Sequence, residues 1–260
     1  MLQLHVTGNW EKSQLRVRTV PSTRRLLPEV EHLIDRAWQK ASLRPGVKLF
    51  DGPMCRMERW RVTDGGLEID LSATSYRPFV GTNLAHPELA EQYGRDVMAN
   101  PVGVSPALLT ADGFLLLGRR NASVAYYPNR IHPFAGALEP RDGNDLCRAV
   151  RRELAEELSL RDADVPDVRC TGIAEDSAMR QPELLFSAVT VLNRRQVEAQ
   201  VHADEHGGSI AVPANPEAVA QTALSPELTP VAVASLLLWG RISFGEAWLT
   251  EVSGSLRHTR

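Results

Sequence analysis

An α/β fold, preceded by a smaller α+β module, is what this 260-residue sequence predicts. Three observations point there: short runs that alternate apolar and polar residues, segments between them with apolar residues at helical spacing, and a change of punctuation near residue 98. Leu15 to Val20 and Leu67 to Leu71 are the first alternating runs. After Pro28, the recurrence of Val30, Leu33, Ile34, Ala37 and Trp38 predicts a helix. Asn100-Pro101 and Ser105-Pro106 then break the chain, which divides it into an α+β module, 1–98, and a second domain, 99–260. That domain opens with a strand, a turn at Ala111-Asp112-Gly113 and a strand from Phe114 to Leu117. A turn-rich loop follows, Asn121 to Arg141, then a helix from about Asn144 to Ser159, a strand from Leu184 to Leu192 and a polar loop from His202 to Gly208. Val231 to Trp239, after Pro226 and Pro230, has the continuous apolar character of a core helix.

Composition narrows the function. With 43% hydrophobic and 23% charged residues the chain is globular, which excludes a collagen, a coiled coil or a disordered tail. A net charge of −3 offers no long-range attraction to nucleic acid or an anionic membrane. Of 29 basic residues only Lys12, Lys40 and Lys48 are lysine; arginine forks suit phosphate and carboxylate, although a coding bias explains most of them. Cys55, Cys147 and Cys170 are odd in number and lack CxxC spacing, so reduced thiols in a cytoplasmic protein are expected, with neither disulfides nor a thiolate zinc site. The start of the chain lacks a basic head followed by an apolar run, and Val231 to Trp239 is too short to span a bilayer.

Chemistry is concentrated in Arg152-Glu153-Leu154-Ala155-Glu156-Glu157, inside the middle helix. At about 100° per residue, Leu146, Cys147, Val150, Leu154 and Leu158 fall on one arc, and Glu153, Glu156 and Glu157 on the arc beside it. Three carboxylates at the margin of a buried face repel one another, and a hard divalent cation with oxygen ligands would relieve that. The plainer alternative is a solvated acidic face in which Arg152 pairs with Glu156.

These residues resemble the second half of the Nudix hydrolase box, Arg-Glu-aliphatic-x-Glu-Glu-x-Gly-aliphatic, matched at Arg152, Glu153, Leu154, Glu156, Glu157 and Leu160, with Ser159 in place of the glycine. The first half departs: the box asks for Gly and Glu where the chain has Leu138 and Asn144, and the nearest candidates are Gly136 and Glu139, as if two residues were inserted. The resemblance implies a Nudix α/β/α sandwich. It implies Glu153, Glu156 and Glu157 as ligands of Mg²⁺, or of Mn²⁺, the Gly136 carbonyl as a further ligand, and Arg152 as the residue that orients a glutamate. It also implies a general base outside the box, for which Glu205 in His202-Ala-Asp-Glu-His206 is the first candidate and Glu183 the second. His202 and His206 lack the further ligands a zinc site needs.

Four more runs, Leu49 to Pro53, Thr74 to Asn83, Asn100 to Val104 and Pro133 to Pro140, resemble a branch of the Nudix superfamily found in animals that hydrolyses UDP-glucose to UMP and glucose 1-phosphate. That resemblance implies a small nucleotide sugar as substrate and no nucleic-acid or membrane partner. Tyr76, Arg77, Thr82 and Asn83, with Phe79, carry the groups a nucleotide sugar needs, and Arg119 beside Arg120 at a strand end would reach a diphosphate. The alternative for Tyr76 to Asn83 is a structural turn that packs the N-terminal module on the second domain. Two other functions stay open: a Nudix-fold sensor of nucleotide sugars that does not turn them over, and a hydrolase of ADP-ribose or another dinucleotide.

Overall fold

Alternation along the strands decides which helix each side chain meets. The structure is a computed structural model that describes residues 2–43, 49–202 and 206–259. Its first part holds β1 (Leu2–Trp10), β2 (Leu15–Thr19), α1 (Pro28–Ser42), β3 (Pro53–Thr63), β4 (Gly66–Ser75) and two one-turn helices, α2 (Tyr76–Phe79) and α3 (Leu89–Gln92). Then come β5 (Gly103–Leu109), β6 (Phe114–Arg120), β7 (Ile131–His132), β8 (Gly136–Ala137), α4 (Leu146–Leu158), β9 (Asp167–Asp176) and β10 (Gln181–Val189). The chain continues through α5 (Arg194–Glu198), β11 (His206–Pro213), α6 (Pro216–Ala223), α7 (Pro230–Phe244) and α8 (Glu246–Thr259).

The large sheet runs β1-β9-β10-β5-β6-β11, with β8 paired to β5 and β7 to β6. It is mixed, because β10 and β5 are parallel while the other pairs are antiparallel. Val104, Leu108, Leu116, Leu184 and Phe186 share one apolar cluster with Leu146, Val150, Leu154 and Leu158 of α4. Their sequence neighbours Ala107, Leu115 and Leu117 pack with Ala232, Val233, Leu236 and Leu237 of α7, and Leu185 packs with Val231, Ala234 and Leu238. A period of two on the strands therefore places α4 on one face of the sheet and α7 on the other, an α/β/α sandwich. Each of these fully buried aliphatic side chains contributes about 1.5–3 kcal/mol.

The small sheet, β2-β4-β3, is stitched to the large one. Cys55 N–H donates to the Leu138 carbonyl at 2.8 Å, and Val102 N–H donates to the Cys55 carbonyl at 2.9 Å. Its inward side chains, Cys55, Met57, Leu67, Ile69 and Leu71, lie in the same cluster as α4. β1 lies across the line drawn at residue 98, since it pairs with β9 from Leu2↔Asp176 to Trp10↔Cys170. No helix among the described residues is long and apolar enough to cross a membrane.

The helices at 28–42, 146–158 and 230–244 form where periodicity predicts them. β9 and β3 lie outside the expected elements, and β10 starts three residues earlier than expected. The expected polar loop at 202–208 becomes strand from His206 onward, because His206 pairs with Arg120 and its ring sits over Gly118, where a Cβ would collide with it.

Candidate functional site

Helix α4 starts at Asp145, whose carboxylate accepts from the Arg148 N–H at 3.1 Å, and ends at Ser159 in the left-handed conformation, φ 52°. A glycine adopts that conformation at no steric cost. Here Ser159 is tied down instead: its hydroxyl lies 2.7 Å from His202 Nε2, and the His202 N–H donates to the Glu157 carbonyl at 2.9 Å. Between these ends Glu153 and Glu157, one turn apart, are buried, while Glu156 is exposed and pairs with Arg152 at 3.0 Å and Arg141 at 3.1 Å. Glu156 thus lies at the exposed rim of the acidic group, and Glu153 and Glu157 at its buried side. Neighbouring arginines attract Glu156 outward, so the inward site is a pair of glutamates.

Arg152 is the hub of this edge. Its guanidinium donates to both oxygens of buried Asp142 at 2.8 and 3.0 Å, to the Ala137 carbonyl at 2.9 Å and to Glu156, and reaches Glu153 at 2.8 Å. Burial opposes its charge, but the Asp142 hydrogen bonds and the Glu153 and Glu156 carboxylates raise its pKa further above the ordinary arginine value. Gly136, from β8, faces Glu153 so closely that a Cβ would collide with the carboxyl. Leu138, where the box asks for glycine, is wholly buried in the apolar core. Glu139 lies 3.8 Å from Arg152 and 2.6 Å from Arg141.

Burial drives Glu153 up to about 8; Arg152 opposes the rise, and Glu157 and Glu156 add to it. On the far side of Glu157 the His206 Nε2 lies 2.9 Å from its carboxylate, and the His206 ring meets Phe134 edge-on. Glu205 falls outside the described residues, but its neighbours His202 and His206 both contact the last turn of α4.

Glu183, the second candidate base, is elsewhere. It lies on the face of the sheet that α7 covers, over Gly103, with the Ser105 hydroxyl donating to it at 3.0 Å. Burial pushes it up to about 8, Ser105 opposes the shift, and Asp176 adds to it.

The remaining sequence candidates are held by structural contacts of their own. Thr82 and Asn83 are wholly buried, and their polar groups bond to backbone: Thr82 Oγ1 donates to the Pro78 carbonyl and accepts from Ala99 N–H, while Asn83 Nδ2 donates to the Met179 carbonyl at 2.9 Å and Oδ1 accepts from Asn100 N–H. Tyr76 contacts Trp38 and Phe79, and Phe79 contacts Tyr126. Arg77 pairs with Asp35, and exposed Arg119 pairs with Glu227 at 2.7 Å.

Sequence reasoning passed over Asp142 and His206 as partners of the box. Asp142 sits ten residues before Arg152 in a Pro-Arg-Asp-Gly turn, a spacing no helical pattern flags. His206 carried a signal in its i,i+4 spacing from His202, but the ring serves Glu157.

Among the described residues no three His, Cys, Asp or Glu side chains are grouped to hold a metal ion. A divalent cation nevertheless fits the chemistry of this edge. A buried carboxylate crowded by like charge is what such an ion relieves, and the space left by the missing Gly136 side chain is where the carboxyl turns.

The sequence is similar to known proteins. The uridine diphosphate glucose pyrophosphatase NUDT22 of Bos taurus is 28% identical over 273 residues, covering 90% of this chain and 94% of its own. By sequence the chain is similar to that protein along nine-tenths of its length. The human NUDT22, also a uridine diphosphate glucose pyrophosphatase, is 27% identical and covers 90% of both chains. Among solved structures, the Nudix domain of Shewanella oneidensis NrtR complexed with ADP ribose is 15% identical with a TM-score of 0.44, over 61% of this chain and 99% of that one. No family model matches the sequence.

Proposed function

We propose that the chain is a metal-dependent hydrolase of the pyrophosphate bond of nucleotide sugars, acting on UDP-glucose to release UMP and glucose 1-phosphate. The observation that carries this reading is the Glu153 carboxyl, buried between Gly136 and the Arg152 clamp with Glu157 one turn away. The likeness to uridine diphosphate glucose pyrophosphatases over nine-tenths of the chain supports the substrate. Three buried free cysteines fit a reducing, cytoplasmic setting.

Glu153 and Glu157 would hold Mg²⁺, or Mn²⁺, with the Gly136 carbonyl, and Glu156 would stand by at the rim. When bound, such an ion neutralises charge on a pyrophosphate and makes a water acidic enough to attack phosphorus. Arg152 keeps the Glu153 carboxyl in place and, through both oxygens of Asp142, fixes the loop that carries Gly136 to the helix. His206 holds the Glu157 carboxylate from the other side. Glu205, directly before His206, would take the proton of the attacking water.

The test is UDP-glucose with purified protein, with and without Mg²⁺, products separated by chromatography, for the wild type and Glu157→Gln. Metal-dependent UMP and glucose 1-phosphate are expected, lowered roughly 10²-fold or more in the variant with its melting temperature little changed. Cleavage of ADP-ribose with UDP-glucose untouched would overturn the substrate; full activity in Glu157→Gln would overturn the site.

A further inference from the structure

Two arginines are buried among the described residues, and their surroundings differ. The Arg56 guanidinium lies 2.5 Å from the Glu58 carboxylate, and its Nε donates to the Met98 carbonyl at 3.3 Å. Arg120, 7% exposed, has no carboxylate within 4 Å among the described residues. Its Nε donates to the Tyr126 carbonyl at 3.2 Å, and its guanidinium lies 4.5 Å from the Tyr126 ring centroid. Both Nη nitrogens are left without a hydrogen-bond partner among the described residues. Arginine is almost never buried unless paired, because a carbonyl and a ring face replace only part of the water it loses.

Position indicates which anion would complete it. Alternation along β6 turns Arg119 to one side, where it pairs with Glu227 at 2.7 Å, and Arg120 to the other, the side of Gly118. Arg120 pairs across the sheet with His206, whose ring lies over Gly118 and whose Nε2 stands 2.9 Å from the Glu157 carboxylate. The unpaired cation therefore closes the strand that carries the support of Glu157. Two titratable groups feel its charge without answering it. His132 is neutral, held well below the ordinary histidine value by burial first and then by Arg120 and His206. Glu183, pushed up to about 8 chiefly by burial, is mostly protonated at neutral pH even though Arg120 opposes the rise.

We propose that Arg120 grips the diphosphate of the substrate, its two Nη nitrogens donating to phosphate oxygens while Tyr126 holds the guanidinium plane. A planar fork with both ends open matches two oxygens of one phosphate, which a lysine ammonium meets only as a point charge. For its substrate the inference rests on the hydrolase reading above. It moves the phosphate contact expected at the end of β6 from Arg119, which a surface carboxylate occupies, to its buried neighbour.

The full chain and its Arg120→Met, Arg120→Lys and Arg119→Met variants test this by three readouts. With Mg²⁺ and UDP-glucose, KM should rise roughly tenfold or more in Arg120→Met, with kcat changed less, and should recover in part in Arg120→Lys. In EDTA, calorimetric titration should show UDP-glucose bound about tenfold more weakly by Arg120→Met and uridine bound as by the wild type. Without ligand, Arg120→Met should melt no lower than the wild type, because an unpaired buried charge leaves with the side chain. A lower melting temperature with KM and affinity unchanged would make Arg120 a structural tie to Tyr126 and overturn the proposal. So would equal loss of uridine and UDP-glucose, a KM that follows Arg119→Met instead, or no binding of UDP-glucose at millimolar concentration. Binding in EDTA that depends on Arg120, with no cleavage in Mg²⁺, would fail the hydrolase reading alone; cleavage indifferent to Arg120 would fail this inference alone.

Discussion

Glu153 and Glu183 are both buried glutamates pushed up to about 8, chiefly by loss of water, yet they sit in different chemistry. Glu183 lies over Gly103 and accepts from a neutral donor, the Ser105 hydroxyl, on the α7 face of the sheet, with Asp176 adding to its rise and Arg120 opposing it. Glu153 faces Arg152, two further glutamates and a glycine that leaves it room, on the α4 side. Burial alone therefore does not mark a metal-binding carboxylate. The two differ in direct contact: Glu153 is ion-paired with Arg152 at 2.8 Å and stands one turn from Glu157, whereas Glu183 accepts from a neutral hydroxyl, and the metal proposed above is assigned to the first on that ground.

The largest effect expected on stability comes from the clamp. Arg152→Met would leave buried Asp142 without its cation and should cost about 3–5 kcal/mol in urea unfolding, much more than loss of a surface pair. A loss under 1 kcal/mol would mean that Asp142 is stabilised by other groups, and the distinction between the two centres would weaken.

Next is pH. A carboxyl whose folded pKa is raised stays protonated after the unfolded chain has ionised, so the unfolded state binds fewer protons and stability falls as pH rises. For Glu183 the window runs from its unfolded value of 4.5 to about 8, with the loss complete above that. Glu183→Gln should flatten this fall in metal-free buffer and gain on the order of 3 kcal/mol at pH 8, read from unfolding curves across the window. An unchanged slope would show that Glu183 ionises near its ordinary value.

Mg²⁺ separates the two glutamates directly. At a hundred times its dissociation constant it should stabilise the wild type by about 2.7 kcal/mol, visible as a rise in melting temperature. Glu153→Gln should lose that rise and Glu183→Gln should keep it; the reverse pattern would move the metal to the other face of the sheet. Smallest is Asn83→Ala, which strips buried bonds to the Met179 carbonyl and the Asn100 N–H and should cost about 1–3 kcal/mol by thermal unfolding. A change in KM with no loss of stability would instead return Asn83 to the substrate.

The residues themselves announced Glu153 and Glu157, because a period of 3.6 puts both beside the apolar stripe of α4 whatever the helix packs on. The resemblance offered Gly136 as the nearest candidate for the box glycine, and the structure sets it against the Glu153 carboxyl. Asp142 stayed hidden because its bond to Arg152 links a turn to a helix, a contact periodicity does not encode. Thr82 and Asn83 looked like ligand groups because a sequence does not reveal that nearby backbone takes up their hydrogen bonds.

Sequence by itself determined the α/β class, three of the four long helices, the three glutamates beside the apolar stripe of α4 and the likeness to Nudix hydrolases, all of them local patterns held within a few turns of chain. Tertiary structure alone decided that Glu156 turns outward, that Glu183 belongs to the opposite face and that β1 joins the large sheet. Those outcomes depend on which distant charges and backbone groups come within reach, and pairing between residues far apart is settled only when the chain closes on itself.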